Sequence, residues 1–408
     1  MTSEFTGIKT ENNSEMTTKS NDTEKILINN SNTEIEYESS SVTLEFKQKH
    51  NNNINEEDNS IITISKDPIS ILNSKRIHYN ETIYDPILDE NACNKLNLKD
   101  KKYSKLWDNY ITQRSCHWTP DELDFSQDYQ TFLKLSEQKQ KVIKMILAFF
   151  ANIDSIVNIN ISQNITSKIH PIEIKMGYDQ QVAMENIHIE TYTHLLDVLI
   201  KDEKEKDYLF NSIKNIESVK LIADWAFNWI DSNVPLACKI VAFACIEGIL
   251  FSSAFAFIFW LKQQFIGEIG MEGLFRSNEF ISRDEGLHKD YGVLIFQELK
   301  NKPSNQLVID IIKESVEIGK VFNQETIQND IQGMSSNEMN TYIKYVADRL
   351  CYSLIGKKIY NAKNPFPFME TIGMQSKTNF HESRNTEYKN AHNSFSTNNN
   401  KLVMTDDF

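Results

Sequence analysis

Two Glu-x-x-His units, Glu185 to His188 and Glu285 to His288, restrict the possible folds of this chain more than any other feature. Each unit lies in a stretch with the apolar periodicity of an amphipathic helix. A spacing of three residues places the carboxylate and the imidazole on one helical face, a turn apart. Two such helices facing each other can bind two metal ions, so the sequence predicts a metal site built between helices.

Two further acids stand in apolar surroundings, where an unpaired carboxylate is costly. Asp154 follows the apolar run 142–153, and Glu247 lies inside the longer apolar run 240–261. The longer run could cross a bilayer, so a membrane span is the alternative interpretation. Its acid, its two serines and the lack of a second such run favour a helix buried on all sides in a large bundle, with no membrane partner.

The chain therefore repeats one pattern, an acid followed by a Glu-x-x-His unit. The candidate metal ligands are Asp154, Glu185, His188, Glu247, Glu285 and His288. Four carboxylates and two imidazoles suit iron or manganese with open coordination positions, and the absence of cysteine counts against structural zinc. A single unit of this kind arises readily by chance on a solvated helix. The complete set resembles the ferritin-like carboxylate proteins, so we predict an all-α, ferritin-like di-metal four-helix bundle extended by additional helices.

Tyr192 distinguishes among the functions open to a di-metal site. It follows His188 by four residues, so its phenol should lie one turn further along the ligand face. Phe251, Phe255 and Ile281 share the helical stripes of Glu247 and Glu285, and they could exclude water from that phenol. A phenol kept dry beside an oxygen-activating metal pair can form a tyrosyl radical. The alternative is a core tyrosine hydrogen-bonded to a carboxylate.

With these residues the chain resembles the small, radical-generating subunit of class I ribonucleotide reductases of the eukaryotic type. The resemblance covers roughly residues 80–408. Its matching stretches are 148–154, 182–192, 223–226, 241–248 and 277–288. It implies a centre of two iron ions per chain, with manganese less favoured, that activates dioxygen and forms a stable radical at Tyr192. It also implies a partner, the large subunit, in which a cysteine takes up the radical and ribonucleoside diphosphates are reduced to deoxyribonucleotides.

The resemblance further implies a relay that leads the radical out of the subunit. Trp118 matches the relay tryptophan of the family, Asp284 matches the carboxylate that links it to His188, and Tyr388 matches the exit tyrosine on the tail. Without the resemblance, Trp118 and Tyr388 would be a core indole and a solvated aromatic. A carboxylate that accepts the free imidazole N–H also fixes the tautomer of a metal-bound histidine.

The C-terminal end has the composition of a docking peptide. Residues 391–401 are rich in Asn and Ser, which predicts disorder, and the chain then ends with two acids, an aromatic side chain and a free carboxylate. Such a tail can order on contact with a groove that has apolar pockets and basic rims. It resembles the family peptide that binds the large subunit. The predicted docking residues are Val403, Met404, Thr405, Asp406, Asp407 and Phe408.

Composition agrees with a single large helical domain. The 408 residues carry a net charge of −14, too acidic for a nucleic-acid partner, and contain only 12 Gly and 8 Pro. The five cysteines form no Cys-x-x-Cys pair and the N-terminus has no signal-peptide core, which indicates a cytoplasmic protein. We predict a disordered polar extension over 1–75, a ferritin-like domain over 76–375 with breaks near Pro171, Pro235 and Pro303, and a flexible tail over 376–408.

Two alternative functions stay open at this stage. A ferritin-like di-iron oxidase, hydroxylase or desaturase would use the same metal site on a small substrate, but it needs neither a relay nor a docking tail. A non-catalytic small subunit would stabilise an active partner in a heterodimer, but the complete ligand set disfavours it. We expect a homodimer, with a heterodimer containing a second small subunit as the alternative assembly.

Overall fold

The computed structural model describes residues 84–90, 98, 102–230, 234–327, 331 and 333–370, and the backbone of four short strands. It divides the chain into two compact units, residues 1–66 and 67–408. In the first unit, β1 (Lys25–Ile26) pairs antiparallel with β2 (Ile35–Glu36), and β3 (Val42–Leu44) pairs antiparallel with β4 (Ile62–Ile64). The remainder of the predicted disordered extension lies outside the described residues.

The described part of the second unit is helical. Its α-helices are α1 (Ser104–Ser115), α2 (Asp128–Phe132), α3 (Glu137–Asn160), α4 (Ile172–Leu199), α5 (Glu203–Phe210), α6 (Ser212–Asn215), α7 (Glu217–Ile230), α8 (Leu236–Cys245), α9 (Phe251–Gln263), α10 (Glu272–Glu298), α11 (Asn305–Thr326) and α12 (Ser336–Ile355). Short 3₁₀ turns lie at Pro120–Glu122 and Thr166–Lys168. The predicted all-α fold is thus confirmed for the residues that the structure describes in this unit.

Local sequence explains where several of these helices begin. Helices α4 and α8 begin directly after Pro171 and Pro235, and α11 begins after Ser304, whose side chain accepts a hydrogen bond from the Leu307 amide. Proline suits a helix start because the first amides of a helix need no partner within it, and a serine cap satisfies one of them. The breaks predicted near the three prolines coincide with these starts.

Four long helical segments form the core bundle that surrounds the predicted metal ligands. They are α3, α4, α10, and the segment formed by α8, the π-helical turn Ile246–Leu250 and α9. The close approach of α4 to α10 depends on Gly177, since a Cβ there would lie 2.2 Å from the Tyr291 ring. Tyr291 in turn donates a hydrogen bond of 2.8 Å to the Ile174 carbonyl. The helices that carry the two Glu-x-x-His units are therefore in direct contact.

Two of the described helical segments are long and apolar enough to cross a membrane. Leu236–Gln263 has a mean hydropathy of 2.0 and Glu137–Lys168 of 1.7 over their most apolar stretches, and 94% and 72% of those stretches are buried within the protein. The expectation that the chain has only one such run was wrong. Helix α3 begins with charged and polar residues, and its long apolar stretch starts only after them. The preference for core helices over membrane spans holds for both segments, since the bundle itself covers them.

Candidate metal centre

The bundle brings all six predicted ligand side chains into its interior. Asp154 comes from α3, the first Glu-x-x-His unit from α4, Glu247 from the π-helical turn and the second unit from α10. None of the six residues is more than 7% exposed. Because each pair of ligands is spaced by three residues on one helix, packing α4 against α10 is enough to place four of them face to face.

Within this cluster the side chains form two overlapping groups of possible metal ligands. One group contains Asp154 and His188 and the other contains Glu247 and His288, while Glu185 and Glu285 belong to both. One ligand atom from each residue of a group lies within 4.8 Å of the others. Two metal ions held in this way would share the two central carboxylates, which is the arrangement of a di-metal carboxylate site.

The unpaired polar atoms of the cluster fit bound metal ions. Among the described residues, neither oxygen of Asp154, neither oxygen of Glu285 and neither ring nitrogen of His288 has a hydrogen-bond partner. His188 Nδ1 lies 3.0 Å from a Glu285 oxygen and His288 Nδ1 lies 3.0 Å from a Glu185 oxygen, yet these contacts lack hydrogen-bond geometry. Buried polar atoms without partners are rare, and metal ions would satisfy them.

The charge of the cluster favours divalent cations as well. Burial, together with the Glu185 and Glu285 carboxylates, raises the pKa of Asp154 well above 3.8. Burial also opposes ionisation of Glu185, but its contacts with His188 and His288 outweigh burial and lower its pKa to about 2. Two protonated imidazoles balance only two of the four carboxylates. Two divalent metal ions would balance all four and leave the imidazoles neutral, as metal ligands must be.

Glu247 is positioned by a local distortion and by a neighbouring amide. The helix widens into a π-helical turn at Ile246–Leu250, a distortion that is frequent at functional sites. Gln181 Nε2 donates a hydrogen bond of 2.6 Å to Glu247 Oε1. Gln181 was not predicted as a site residue, although it precedes Glu185 by four residues and so lies on the same helical face. That spacing was the signal that could have identified it.

The Tyr192 phenol lies in an aromatic environment beside the Asp154 half of the cluster. The residue is 3% exposed, and its hydroxyl has no hydrogen-bond partner among the described residues. Burial, followed by the Asp154 carboxylate, raises the pKa of Tyr192 well above 10. Its ring stacks on Phe150 with 4.7 Å between ring centroids and 8° between ring planes. A phenol in these surroundings is held neutral and dry.

Two of the predicted pocket residues contact the ring that stacks on this tyrosine. The Phe251 and Phe255 rings contact Phe150 at centroid distances of 5.2 and 4.8 Å, and Ile281 is fully buried. Phe150 is the ring that stacks directly on Tyr192, and it was not predicted. It precedes Asp154 by four residues, so the same helical spacing that selected the other pocket residues points to it.

Trp118, Asp284 and His188 form a connected line leading away from the cluster. Trp118 Nε1 donates a hydrogen bond of 2.7 Å to Asp284 Oδ2, and His188 Nε2 lies 3.4 Å from the same oxygen. Arg283 donates from Nε and Nη2 to the other oxygen of Asp284. Asp284 therefore faces both rings while Arg283 holds its orientation, and His188 keeps Nδ1 free to face the cluster.

Some predicted residues lie outside the part of the chain that the structure describes. These are Tyr388 on the tail and the docking residues Val403, Met404, Thr405, Asp406, Asp407 and Phe408.

The fold and the cluster define a class of protein. Four bundle segments that contribute four buried carboxylates and two imidazoles, with two carboxylates common to both groups, are typical of the ferritin-like di-metal carboxylate proteins. Comparison with known families gives the particular one, because the family model described as ribonucleotide reductase, small chain, matches residues 95–365. The chain belongs to the ribonucleotide reductase small chain family, and its activity is that of a ribonucleoside-diphosphate reductase small subunit, as the sequence predicted.

Individual relatives agree with this assignment. The chain is 46% identical over 309 residues to the ribonucleoside-diphosphate reductase small chain of Yaba-like disease virus, covering 76% of this chain and 94% of that protein. It is 42% identical over 325 residues to the ribonucleoside-diphosphate reductase subunit M2 of Danio rerio, covering 79% and 83% of the two chains. Among solved structures, the ribonucleotide reductase Rnr4 homodimer of Saccharomyces cerevisiae has a TM-score of 0.62 and 31% identity, and the match covers 74% of this chain and 92% of that one.

Proposed function

We propose that this small subunit generates and stores a tyrosyl radical at Tyr192. The observation that carries the proposal is the buried phenol whose hydroxyl has no hydrogen-bond partner among the described residues. A one-electron oxidation removes an electron and the phenolic proton, and the product persists when nothing nearby can quench it. The stack on Phe150 and the apolar side chains around it keep water away from that product.

The cofactor that we propose is a pair of iron ions in each chain, held by Asp154, Glu185, His188, Glu247, Glu285 and His288. When bound, the pair supplies the oxidising power of dioxygen that the phenol needs. The protein contributes a fixed set of oxygen and nitrogen donors, a dry pocket and an imidazole held in one tautomer by Asp284. Manganese suits the same donors, so metal analysis of protein purified from cells supplied with both metals is the direct test. A predominance of manganese would contradict the proposal.

From Tyr192 the radical is proposed to travel through Trp118 and Tyr388 to the large subunit. When Trp118 gives up an electron, its Nε1 proton can pass along the 2.7 Å hydrogen bond to Asp284, so no separated charge builds up in the buried site. A cysteine of the large subunit then takes up the radical and starts the reduction of ribonucleoside diphosphates to deoxyribonucleotides.

We further propose a cytoplasmic homodimer that binds the large subunit through residues 403–408. One chain has a mass of 47.4 kDa, so sedimentation should give about twice that value. A monomer, or a dimer that forms only with a second type of small subunit, would contradict the homodimer.

Reconstitution with ferrous iron and oxygen, monitored by electron paramagnetic resonance, tests the radical. The wild-type protein should develop a stable tyrosyl signal, and Tyr192→Phe should lose it because phenylalanine has no phenolic proton to release. Tyr178→Phe is a matched control, since it removes another buried phenol beside Glu247. Absence of the signal from wild type, or an undiminished signal in Tyr192→Phe, would refute the proposal.

Deletion of residues 403–408 tests the docking peptide separately. The shortened protein should keep its radical and lose measurable binding to the large subunit in surface plasmon resonance, because the apolar and acidic groups that fill the groove are gone. Replacing Asn398, Asn399 and Asn400 with serine alters the adjoining tail and should leave affinity unchanged. Retained affinity after the deletion would show that docking depends on another surface.

A further inference from the structure

Trp118 is buried, although the residues directly before and after it reach the surface. It is 2% exposed, whereas its neighbour His117 is exposed and Thr119 is half-buried. The His188 ring on α4 stacks on the indole with 6.2 Å between ring centroids. The Phe280 ring on α10 lies closer, with 5.2 Å between ring centroids.

Phe280 is half-buried and is held between two guanidinium groups. The Arg276 guanidinium carbon lies 4.5 Å from the centre of its ring and that of Arg283 lies 5.3 Å from it. Arg276 precedes Phe280 by four residues and Arg283 follows it by three, so all three side chains share one face of α10. The Phe280 ring is thereby fixed over the indole, because turning away would break both cation–π contacts.

The position of Phe280 matters for the hydrogen bond beneath it. Asp284 follows Phe280 by four residues and accepts the Trp118 indole N–H at 2.7 Å. A hydrogen bond to a carboxylate is stronger in a dry, low-dielectric setting than in water. Water reaching this pair would compete for the carboxylate and would give the indole proton a second acceptor.

We propose that Phe280 is a positioning residue that seals the Trp118–Asp284 hydrogen bond from water. The inference rests on the proposed function, in which Trp118 carries the radical outward. Phe280 takes no part in electron transfer itself. It acts through its size, because its ring covers the indole. Arg283, which lies over that ring, also donates hydrogen bonds to Asp284 and to the Cys116 carbonyl.

Fluorine NMR of protein labelled with 5-fluorotryptophan measures the exposure of the indole to water, and it needs no bound metal. The chain has five tryptophans, and the resonance lost in Trp118→Phe identifies the one of interest. The chemical shift of the Trp118 fluorine should hardly change between H₂O and D₂O in wild type. It should hardly change in Phe280→Leu either, because leucine keeps an apolar side chain over the indole. In Phe280→Ala the change between the two solvents should approach that of free 5-fluorotryptophan. Tyr345→Ala is the matched control, since it removes a half-buried aromatic under Arg349 on another helix.

Turnover with the large subunit is the second measurement. Phe280→Ala should retain the Tyr192 radical and its affinity for the large subunit, while kcat falls about 10-fold, the lower end of the effect of losing an outer partner of a metal site. Phe280→Leu should restore kcat. An indole that stays shielded in Phe280→Ala overturns the proposal, and so does a loss of large-subunit affinity in place of kcat. A wild-type protein without a radical would instead overturn the proposed function, whatever the NMR result.

Discussion

Two adjacent glutamines show that a shift of one residue along a helix decides whether a side chain can hydrogen-bond to a predicted metal ligand. Gln181 is buried and donates to Glu247, whereas Gln180 lies a step around the helix and the nitrogen of its amide has no hydrogen-bond partner among the described residues. The difference follows from helical geometry, because only the residue four positions before Glu185 shares the ligand face. Support of a ligand therefore depends on the face that a residue occupies, and its chemical type alone is insufficient.

Gln181→Leu should weaken binding of the metal ion next to Glu247 by about 10- to 100-fold, the usual effect of removing an outer partner of a ligand. The leucine fills a similar volume but leaves the carboxylate without its donor. Competition titration with a chromophoric chelator measures the affinity. Gln180→Leu is the control and should bind metal as wild type does. Equal affinities in the two variants would mean that Gln181 does not position Glu247.

At the scale of elements, the helix that carries Asp284, Glu285 and His288 is capped from a distant part of the chain. Asp128 on α2 accepts hydrogen bonds from the Gly273 and Leu274 amides at 3.1 and 2.8 Å, in the first turn of α10. Free amides at a helix start need such partners, and a carboxylate also interacts favourably with the helix dipole. Asp128 thus helps to fix where α10 begins, and with it the position of the ligands further along.

Asp128→Ala should destabilise the protein by about 1–3 kcal/mol, because two buried amides lose their acceptor. The effect of pH has a defined sign. Burial raises the pKa of Asp128 from 3.8 to about 6, although the two amides oppose this shift. The folded state therefore holds the proton more tightly than the unfolded state does, so the stability that Asp128 confers falls as pH rises from about 4 to about 6.

Urea unfolding of wild type and Asp128→Asn at several pH values measures this dependence. The stability of wild type relative to the variant should decline between pH 4 and pH 6 and then level off. Asp124→Asn is a suitable control because Asp124 is exposed and hydrogen bonding to Ser126 lowers its pKa. A relative stability that is flat, or that rises over this range, would show that burial does not raise the pKa of Asp128.

The whole molecule is organised around a cluster of buried carboxyl groups at its centre. Four carboxylates are buried among helices whose other inward residues are mainly apolar, and the chain as a whole has a net charge of −14. Burying several like charges is costly unless cations accompany them. Metal binding and folding are therefore expected to be strongly linked in this subunit.

Adding ferrous or manganous ions to metal-free protein under anaerobic conditions should raise its thermal unfolding temperature by several degrees. Each site contributes about 2.7 kcal/mol when free metal is 100-fold above the dissociation constant. Differential scanning calorimetry measures the shift. Replacing both shared acids, Glu185→Gln with Glu285→Gln, should abolish it, whereas Glu190→Gln on the exposed side of the same helix should not. A shift that survives loss of the shared acids would place metal binding elsewhere.

Sequence alone was sufficient to select the six acids and histidines that the bundle brings together, because their spacing follows from short-range helical periodicity. The fold class was predicted from the resemblance of that set to the ferritin-like carboxylate proteins. Spacings of three and four residues place Glu185, His188 and Tyr192 on one stripe whatever the helix packs against. The buried acids Asp154 and Glu247 were visible because an acid in an apolar run is costly and needs a structural reason.

Tertiary structure alone decided the contacts between residues far apart in the chain. No local spacing relates Asp128 to Gly273 or Phe280 to Trp118, since these pairs meet only when separate helices pack. Phe150 and Gln181 are intermediate cases, because the four-residue spacing was present but packing had to show which face looks inward. The candidate ligands could thus be predicted from periodicity within single helices. The residues that cap a ligand helix, cover the indole or hydrogen-bond to a ligand depend on how those helices pack.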